Sequence, residues 1–400
     1  MDLSRWRNLP VILMVVGAIG AGAGLALGGV RQFAFSWLLA FMFFLSLCLG
    51  GWFLVIVHHL FDASWSVPTR RLCEHLACLL GPAMLILFLP IAFAAKQIYP
   101  WMTMNPPDHA VKAKYPLFTM PGYYISALVL FAIWWFYSNR LRFWSLRQDE
   151  TGSADCTHRM RFFAASGVVL FGFTLTLAAI LWMKGLMAEW YSTMYGVWYF
   201  ASSVWATLPT VYVITLLLQR AGPLRNLVKD NTYYMLGSLF LAFTVFWAYI
   251  SFAQYFIVWN ANMPEETFWY FLREKGTWDY VGKYVIIFGH FFVPFLMLLR
   301  IDFKLKLATM LPLVAWAWLM HFVDIEFQIM PALHPDSILT PGLLVDVACV
   351  LFFAGVLIKV FLLSLNRHPV YPLKDPRLAE ALGVYTPPAA ESSITPKGAK

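Results

Sequence analysis

Charge is what this chain has least of: Asp, Glu, Lys and Arg together make up 12% of its 400 residues. A water-soluble domain carries about twice that share. With 60% hydrophobic residues and a mean hydropathy of +0.67, an ordinary polar surface is excluded and lipid is the expected solvent. Strict apolar/polar alternation is missing from the apolar runs, which argues against a transmembrane barrel and for helices. Cysteine is scarce too. Cys48, Cys73, Cys78, Cys156 and Cys349 make no CxxC, CxxCH or cluster-ligand spacing, so structural disulfides, c-type haem and an iron–sulfur cluster held by this chain are not expected. The net charge of +8 is spread over many loops, so nucleic acid is not an expected partner.

What is present is a series of apolar windows. A bilayer core of about 30 Å needs roughly 20 apolar residues per spanning helix, and ten such windows occur: 9–29, 33–60, 75–95, 122–139, 162–183, 191–218, 232–258, 281–299, 307–323 and 342–365. The first is read as a retained helix and not a signal peptide, because a second span follows at once. Gly20, Gly24 and Gly28 recur every four residues on it, a face suited to close helix packing. Arg5, Arg7, Arg70, Arg71, Arg140, Arg142, Arg159, Arg161, Arg220 and Arg225 crowd one set of loops. The positive-inside rule then places both termini in the cytoplasm. Leaving out the first and last helices, eight remain in two sets of four with the same starting side. The expected fold is all-α, about ten transmembrane helices, with two side-by-side four-helix bundles over 33–190 and 191–341. Residues 1–32 and 342–365 supply peripheral helices. The tail, 366–400, is cytoplasmic and its "YTPPAAESSITPKGAK" end reads as disordered. The longest outer segments, 96–121, 259–280 and 324–341, are rich in Trp, Tyr, Pro and acidic residues, the composition of an interfacial docking surface.

Ionisable groups at membrane depth are costly, so each needs a reason. His290 lies midway along its span in "IIFGHFFVPF", and Asp346 lies one turn inside the last. His58 and His59 close the second span, Glu74 and His75 open the third, and a short loop joins the two groups. In "HFVDIEFQIMP", His321, Asp324 and Gln328 share a helix face while Glu326 points elsewhere. Such a face can pass protons or hydrogen-bond a quinol hydroxyl. The expected proton path or quinol site runs from His58, His59 and Glu74 through His290, with Gln254, to His321, Asp324 and Glu326. Plainer readings stay open: Glu74 paired with Arg70 or Arg71, His58 or His59 as an interfacial residue, Asp324 and Glu326 merely solvated.

Several stretches taken together resemble one family: "LGGWFLVIVHHLFDASWSVPTRRLCEHLA" (49–77), "IYPWM" (98–102), "QYFIVWNANMPEET" (254–267), "GHFFVPFLMLLR" (289–300), "DIEFQIMPALHPD" (324–336) and "DPRLAE" (375–380). From about residue 33 to 382 the chain is similar to the NrfD/PsrC-like membrane proteins, and within them to the ActF-type subunits of alternative complex III. The resemblance implies a subunit of a bacterial quinol:cytochrome c oxidoreductase that holds no redox centre and no catalytic residue of its own. It implies haem and iron–sulfur clusters in partner subunits: a multihaem cytochrome c, a periplasmic iron–sulfur subunit and a homologous quinol-binding membrane subunit. A quinol, menaquinol or ubiquinol, would be the one redox molecule met by this chain. Two stretches depart from the family pattern. "AAILWMKGLMAEWYST" and "KDNTYYMLG" lack polar groups expected there, leaving Lys184 and Glu189 as nearby ionisable residues. A purely structural anchor and a secondary transporter are the competing readings.

Overall fold

The computed structural model describes residues 8–384. The tail beyond Val384, expected to be disordered, lies outside the described residues. Among those described there is no strand, and nine helices are long and apolar enough to cross a membrane. The chain folds as α1 (Leu9–Phe61), α2 (Val67–Cys78), α3 (Pro82–Phe93), α4 (Met120–Thr151), α5 (Ala154–Ala178), α6 (Tyr195–Arg220), α7 (Asp230–Ala261), α8 (Pro264–Arg273), α9 (Gly276–Leu299), α10 (Leu307–Ile329) and α11 (Gly342–Arg367). Helices α2 and α3 form one broken span, and α8 is a short amphipathic helix. Each of the ten apolar windows falls on one of these spans.

As a continuous rod, α1 would be about 80 Å long, far more than a bilayer core. It bends at Gly29, whose φ of 78° and ψ of 173° leave the helical region, a conformation open to glycine because it has no Cβ. Helix α11 gives the geometry of the two limbs. It runs antiparallel to the first, with Phe352 at Gly17 and Val345 at Gly24, and parallel to the second, with Gly342 at Gln32 and Phe353 at Phe44. The limbs are therefore antiparallel, and both the start of α1 and the end of α11 lie at one face. Gly20 and Gly24 meet Ala348 and Val345 of α11, as their spacing suggests, whereas Gly28 meets only Gln32 on its own chain segment.

The second limb is buried along most of 34–59 and forms the axis of the molecule. Helix α6 lies parallel to it: Tyr199 OH donates to Met42 O at 2.7 Å, and Thr207 Oγ1 to Leu47 O at 3.1 Å. The approach is close because Gly50 has no side chain to meet Ser203 and Thr207. Indole–threonine bonds tie the next pairs, Trp134 to Thr174 between α4 and α5 and Trp205 to Thr244 between α6 and α7, each 2.9 Å long. In lipid such donors have no water to fall back on, so pairing them fixes helix register. The exterior is apolar in turn: Leu27, Phe93, Phe173 and Leu344 are 90%, 86%, 72% and 76% exposed, which only a lipid surround tolerates at this density.

A methyl group at Gly17 would fall on the backbone of Phe352, whereas one at Gly22 would meet nothing within 4 Å. Gly17→Ala is expected to lower stability by about 1–3 kcal/mol, with Gly22→Ala neutral or slightly stabilising. Thermal unfolding of the purified chain in detergent checks the difference.

Candidate functional site

The polar residues expected to form one path are gathered into three separate clusters. The first sits in the interior between α1, α6, α7, α9 and α10. From Val281 to Phe292, α9 is wound as a π-helix, a widened coil common at functional sites. On it, His290 is stacked between two indoles, with ring centroids 3.8 Å from Trp205 and 3.7 Å from Trp247. Its Nε2 lies 3.7 Å from Asp324 Oδ2. That oxygen accepts from Trp247 Nε1 at 3.1 Å and from Ser202 Oγ at 3.3 Å. His321 Nε2 lies 2.8 Å from Ser46 Oγ, whose own proton goes to Phe43 O at 2.6 Å. His321 therefore donates from Nε2, and its Nδ1, 3.3 Å from Ser202 Oγ, competes with Asp324 for the single Ser202 proton. All three ionisable groups are fully buried, so the reading of Asp324 as solvated is overturned.

The sequence places His290 at mid-membrane and His321 near the outer surface, as successive steps. The structure corrects this: donor atoms of His290, His321 and Asp324 lie within 4.8 Å of one another. The reason is that α10 continues to Ile329, because its acidic residues are buried and not solvated. His321 is thereby two turns inside its helix. With indole and hydroxyl donors already aimed at the Asp324 carboxylate, the trio is chemically better suited to exchanging protons than to holding a metal ion, since N–H and O–H groups repel a cation from the same point.

A pocket of about 540 Å³ adjoins this cluster. Its inner end is formed by Asp324 and Trp247, and its walls include Ser251 and Gln254 of α7, Ile287 of α9 and Gln328 of α10. Ser251 Oγ and Gln328 Oε1 are buried there without a hydrogen-bond partner among the described residues. Phe252 and Ile287, also on the wall, are 65% and 46% exposed, so the pocket reaches the apolar exterior on that side, while Glu274, Asp279 and Lys283 line it elsewhere. Gln254 thus belongs to the pocket wall beside Tyr270. Arg273 roofs the same space: its guanidinium lies 3.4 Å from the centre of the Trp269 ring and donates to Phe327 O and Gln328 O at 3.0 and 2.8 Å.

The second cluster lies at the opposite end. Arg70 pairs with Asp375, and its Nε is 3.2 Å from Glu74 Oε1. Arg71 pairs with Asp149 and lies 3.4 Å from Glu74 Oε2, while Ser145 donates to Glu74 at 2.7 Å. Glu74 is thus an ion-pair partner, the plainer of the two readings. Arg377 binds Asp375 and, at 2.8 Å, Asp62. His58 accepts contacts from Arg70 and Arg377 and lies 2.7 Å from Ser66 Oγ. His59 packs edge-on against His58, and neither of its nitrogens has a partner among the described residues. The 368–384 segment is therefore strapped across this face. Asp375 is the residue sequence reasoning missed, although it stands in the quoted "DPRLAE" stretch; isolated in the sequence from Arg70, it carries no signal of pairing.

The third group is Glu326 of α10 and Asp346 of α11, both buried, with Glu326 Oε2 and Asp346 Oδ1 lacking a hydrogen-bond partner among the described residues. Glu326 is not solvated either, and it does not continue the His321–Asp324 face.

On the face opposite the strap, the long loops contact one another. Lys114 donates to Ala188 O and Trp190 O, Trp190 stacks on Trp269 at 4.5 Å and donates to Glu266 O, and Trp278 donates to His334 O. Lys184 is buried beneath, facing the Phe118 and Tyr191 rings. No protein-family model matches the chain, and no curated protein matches it.

Two predictions test these clusters. Asp324→Leu leaves the Trp247 donor unpaired, whereas Ser202 can turn to His321 Nδ1, and is expected to cost about 1–3 kcal/mol, while Asp324→Asn keeps an acceptor and unfolds close to the parent temperature. Burial alone would raise the Asp375 carboxyl, but the His58 contact and the Arg70 and Arg377 charges outweigh it and hold it well below the usual carboxylate range. The strap is then fully held above about pH 4, the unfolded carboxylate value, and weakens only as pH falls through the lowered folded value. Tryptic cleavage at Arg377 should stay slow down to about pH 5 in the parent and become fast at every pH in Asp375→Asn, which leaves Arg70 and Arg377 short of a partner at about 3–5 kcal/mol.

Proposed function

We propose that this chain is the ActF-type integral membrane subunit of an alternative complex III, a bacterial quinol:electron-acceptor oxidoreductase. Its share of the work is to bind the quinol headgroup and accept its protons. The observation that carries the reading is the sideways pocket ending on Asp324. An apolar cleft with a few convergent polar groups is the usual form of a small-molecule site, and one entered from lipid suits a ligand that partitions into lipid. Ser251, Gln254 and Gln328 offer hydroxyl and amide partners to a quinol ring. Asp324 accepts a hydroxyl proton, and His290 and His321 stand behind it as the next acceptors. Trp247, which separates pocket from imidazole, donates to the carboxylate and keeps it facing inward.

The rest of the assignment follows from the family resemblance. Two parallel four-helix bundles meet along the second limb of α1 and α6. The joined aromatic loops face the periplasm as a platform for an iron–sulfur subunit and a multihaem cytochrome c, a homologous membrane subunit lies alongside, and both termini are cytoplasmic. The haems and clusters belong to those partners. A second reading, a structural anchor with no chemistry, is favoured by the strap cluster, where His58 and Glu74 are occupied by arginines in place of an open proton entrance.

Purification of the tagged chain from its native membrane in mild detergent tests the assignment. A multihaem cytochrome and an iron–sulfur protein should co-purify in fixed ratio, and a colourless solitary chain would overturn it. For the pocket, titrating a water-soluble quinone analogue should quench Trp247 fluorescence, and Ser251→Trp, which fills the cleft, should weaken binding at least about tenfold, or 1.4 kcal/mol. Equal binding by the variant would leave the anchor reading.

A further inference from the structure

One guanidinium at the strapped face stands outside its ion-pair network. Arg142 of α4 is 6% exposed, yet no carboxylate pairs with it among the described residues; Glu74 of α2 and Asp149 of α4 are taken by Arg70 and Arg71. Its Nη1 meets an imidazole nitrogen instead, His75 Nδ1 of α2, at 3.0 Å. A guanidinium can only donate, so Nδ1 is the acceptor and the ring proton sits on Nε2. That Nε2 is buried with no acceptor among the described residues, and so is Arg142 Nη2. Ser364 Oγ of α11 lies 2.8 Å from the same Nδ1. Because that nitrogen has one lone pair, already met by Arg142, the serine proton is free to turn to another acceptor. Phe361 packs against the imidazole, ring centroids 5.6 Å apart, and brings no oxygen to it.

Three helices thus converge with donors and no anion. A buried charge lacking a counter-ion and a buried N–H lacking an acceptor are each costly, and one oxyanion beside them answers both. A phosphate suits the set, since its several oxygens match the planar guanidinium fork and leave others for the imidazole and hydroxyl.

Depth points to where such a phosphate comes from. His75 opens the apolar window 75–95, Arg142 stands just beyond 122–139, and Ser364 is at the end of 342–365. All three lie where lipid-facing chain gives way to polar chain, the level of lipid headgroups. Trp135, two turns from Arg142 and against Gly81 at the end of α2, is exposed on the apolar exterior, as is Leu363 beside Ser364. Acyl chains therefore have a surface to lie on next to the donors. Arg140 and Arg367 are exposed around them and add the positive rim that draws anionic headgroups.

We propose that Arg142, His75 and Ser364 form a binding site for one phosphate group, carried by an anionic phospholipid at the rim of the strapped face. The site is independent of the quinol reading, because it needs neither the pocket nor a redox partner.

Short-chain phosphatidylglycerol titrated into the delipidated full-length chain in mild detergent, with bound lipids counted by native mass spectrometry, tests this. One lipid should bind ahead of all others. Arg142→Gln should weaken it at least about tenfold, and Ser364→Ala about threefold. Arg140→Gln, an exposed change one turn away, should leave it unaltered. Inorganic phosphate is the second arm, read as a rise in unfolding temperature. A rise that Arg142→Gln abolishes, with no lipid bound, would support the phosphate site and assign it to free phosphate. Response to neither probe would overturn the proposal. So would equal weakening by Arg140→Gln and Arg142→Gln, which would show diffuse attraction to a basic rim. The parent titration and Ser364→Ala decide the matter even if Arg142→Gln fails to fold.

Discussion

The interior of this protein depends on one constraint: a polar group inside a lipid-facing bundle has no water to bond, so leaving it without a partner is costly. The second limb of α1 and α6 meet this constraint together. Tyr199 and Thr207 bond carbonyls of α1, and Ser46 of α1 bonds His321 of α10. These contacts set the parallel register of the two helices, and that register decides where Ser202 and Trp205 stand. Because Ser202 and Trp205 in turn bond or stack on Asp324 and His290, the interior cluster is a consequence of helix register. Shifting α6 by one residue would rotate both away from it.

The strapped and interior clusters solve the cost of buried charge in different ways. At the strapped face, carboxylates and guanidiniums are matched in a network of ion pairs, an arrangement suited to permanent charge. The interior trio is His290, His321 and Asp324, with no Lys or Arg paired to it among the described residues. Imidazole, carboxyl and hydroxyl groups stand instead, and all of these can be neutral. The molecule thus keeps matched fixed charges at one rim and groups that can be neutral in its depth. This division explains why histidines that look alike in the sequence behave differently: His58 is a hydrogen-bonding neighbour of two arginines, while His290 is enclosed by two aromatic faces.

The all-helical character and the helix positions were legible because apolar runs of bilayer length are a direct record of lipid burial. The shared face of His321 and Asp324, and the opposite direction of Glu326, followed from helical spacing. Depth was not legible. Where α10 ends depends on whether Asp324 and Glu326 are solvated or buried, and the indole that bonds Asp324, Trp247, lies 77 residues away along the chain. The indole pair around His290 was hidden by the abundance of aromatics, 18% of the sequence, any of which could have been lipid-facing. Asp375 was hidden for the opposite reason, as a lone acid in a tail whose composition resembles a linker.

Helix α10 shows how little sequence separates two buried carboxyls with different surroundings. Asp324 and Glu326 are two positions apart, which on a helix turns their side chains by about 200°. One therefore faces α6, α7 and the pocket, while the other points away from them. A single-residue shift in α10 would move both by about 100° and displace both at once. The helix is held against such a shift from both sides, by Arg273 on the carbonyls of Phe327 and Gln328 and by Trp316 on the carbonyl of Gly289. Neither contact touches a carboxylate, yet each fixes the rotation on which both carboxylates rely. The arginine that roofs the pocket thereby also orients the acid at the pocket's inner end.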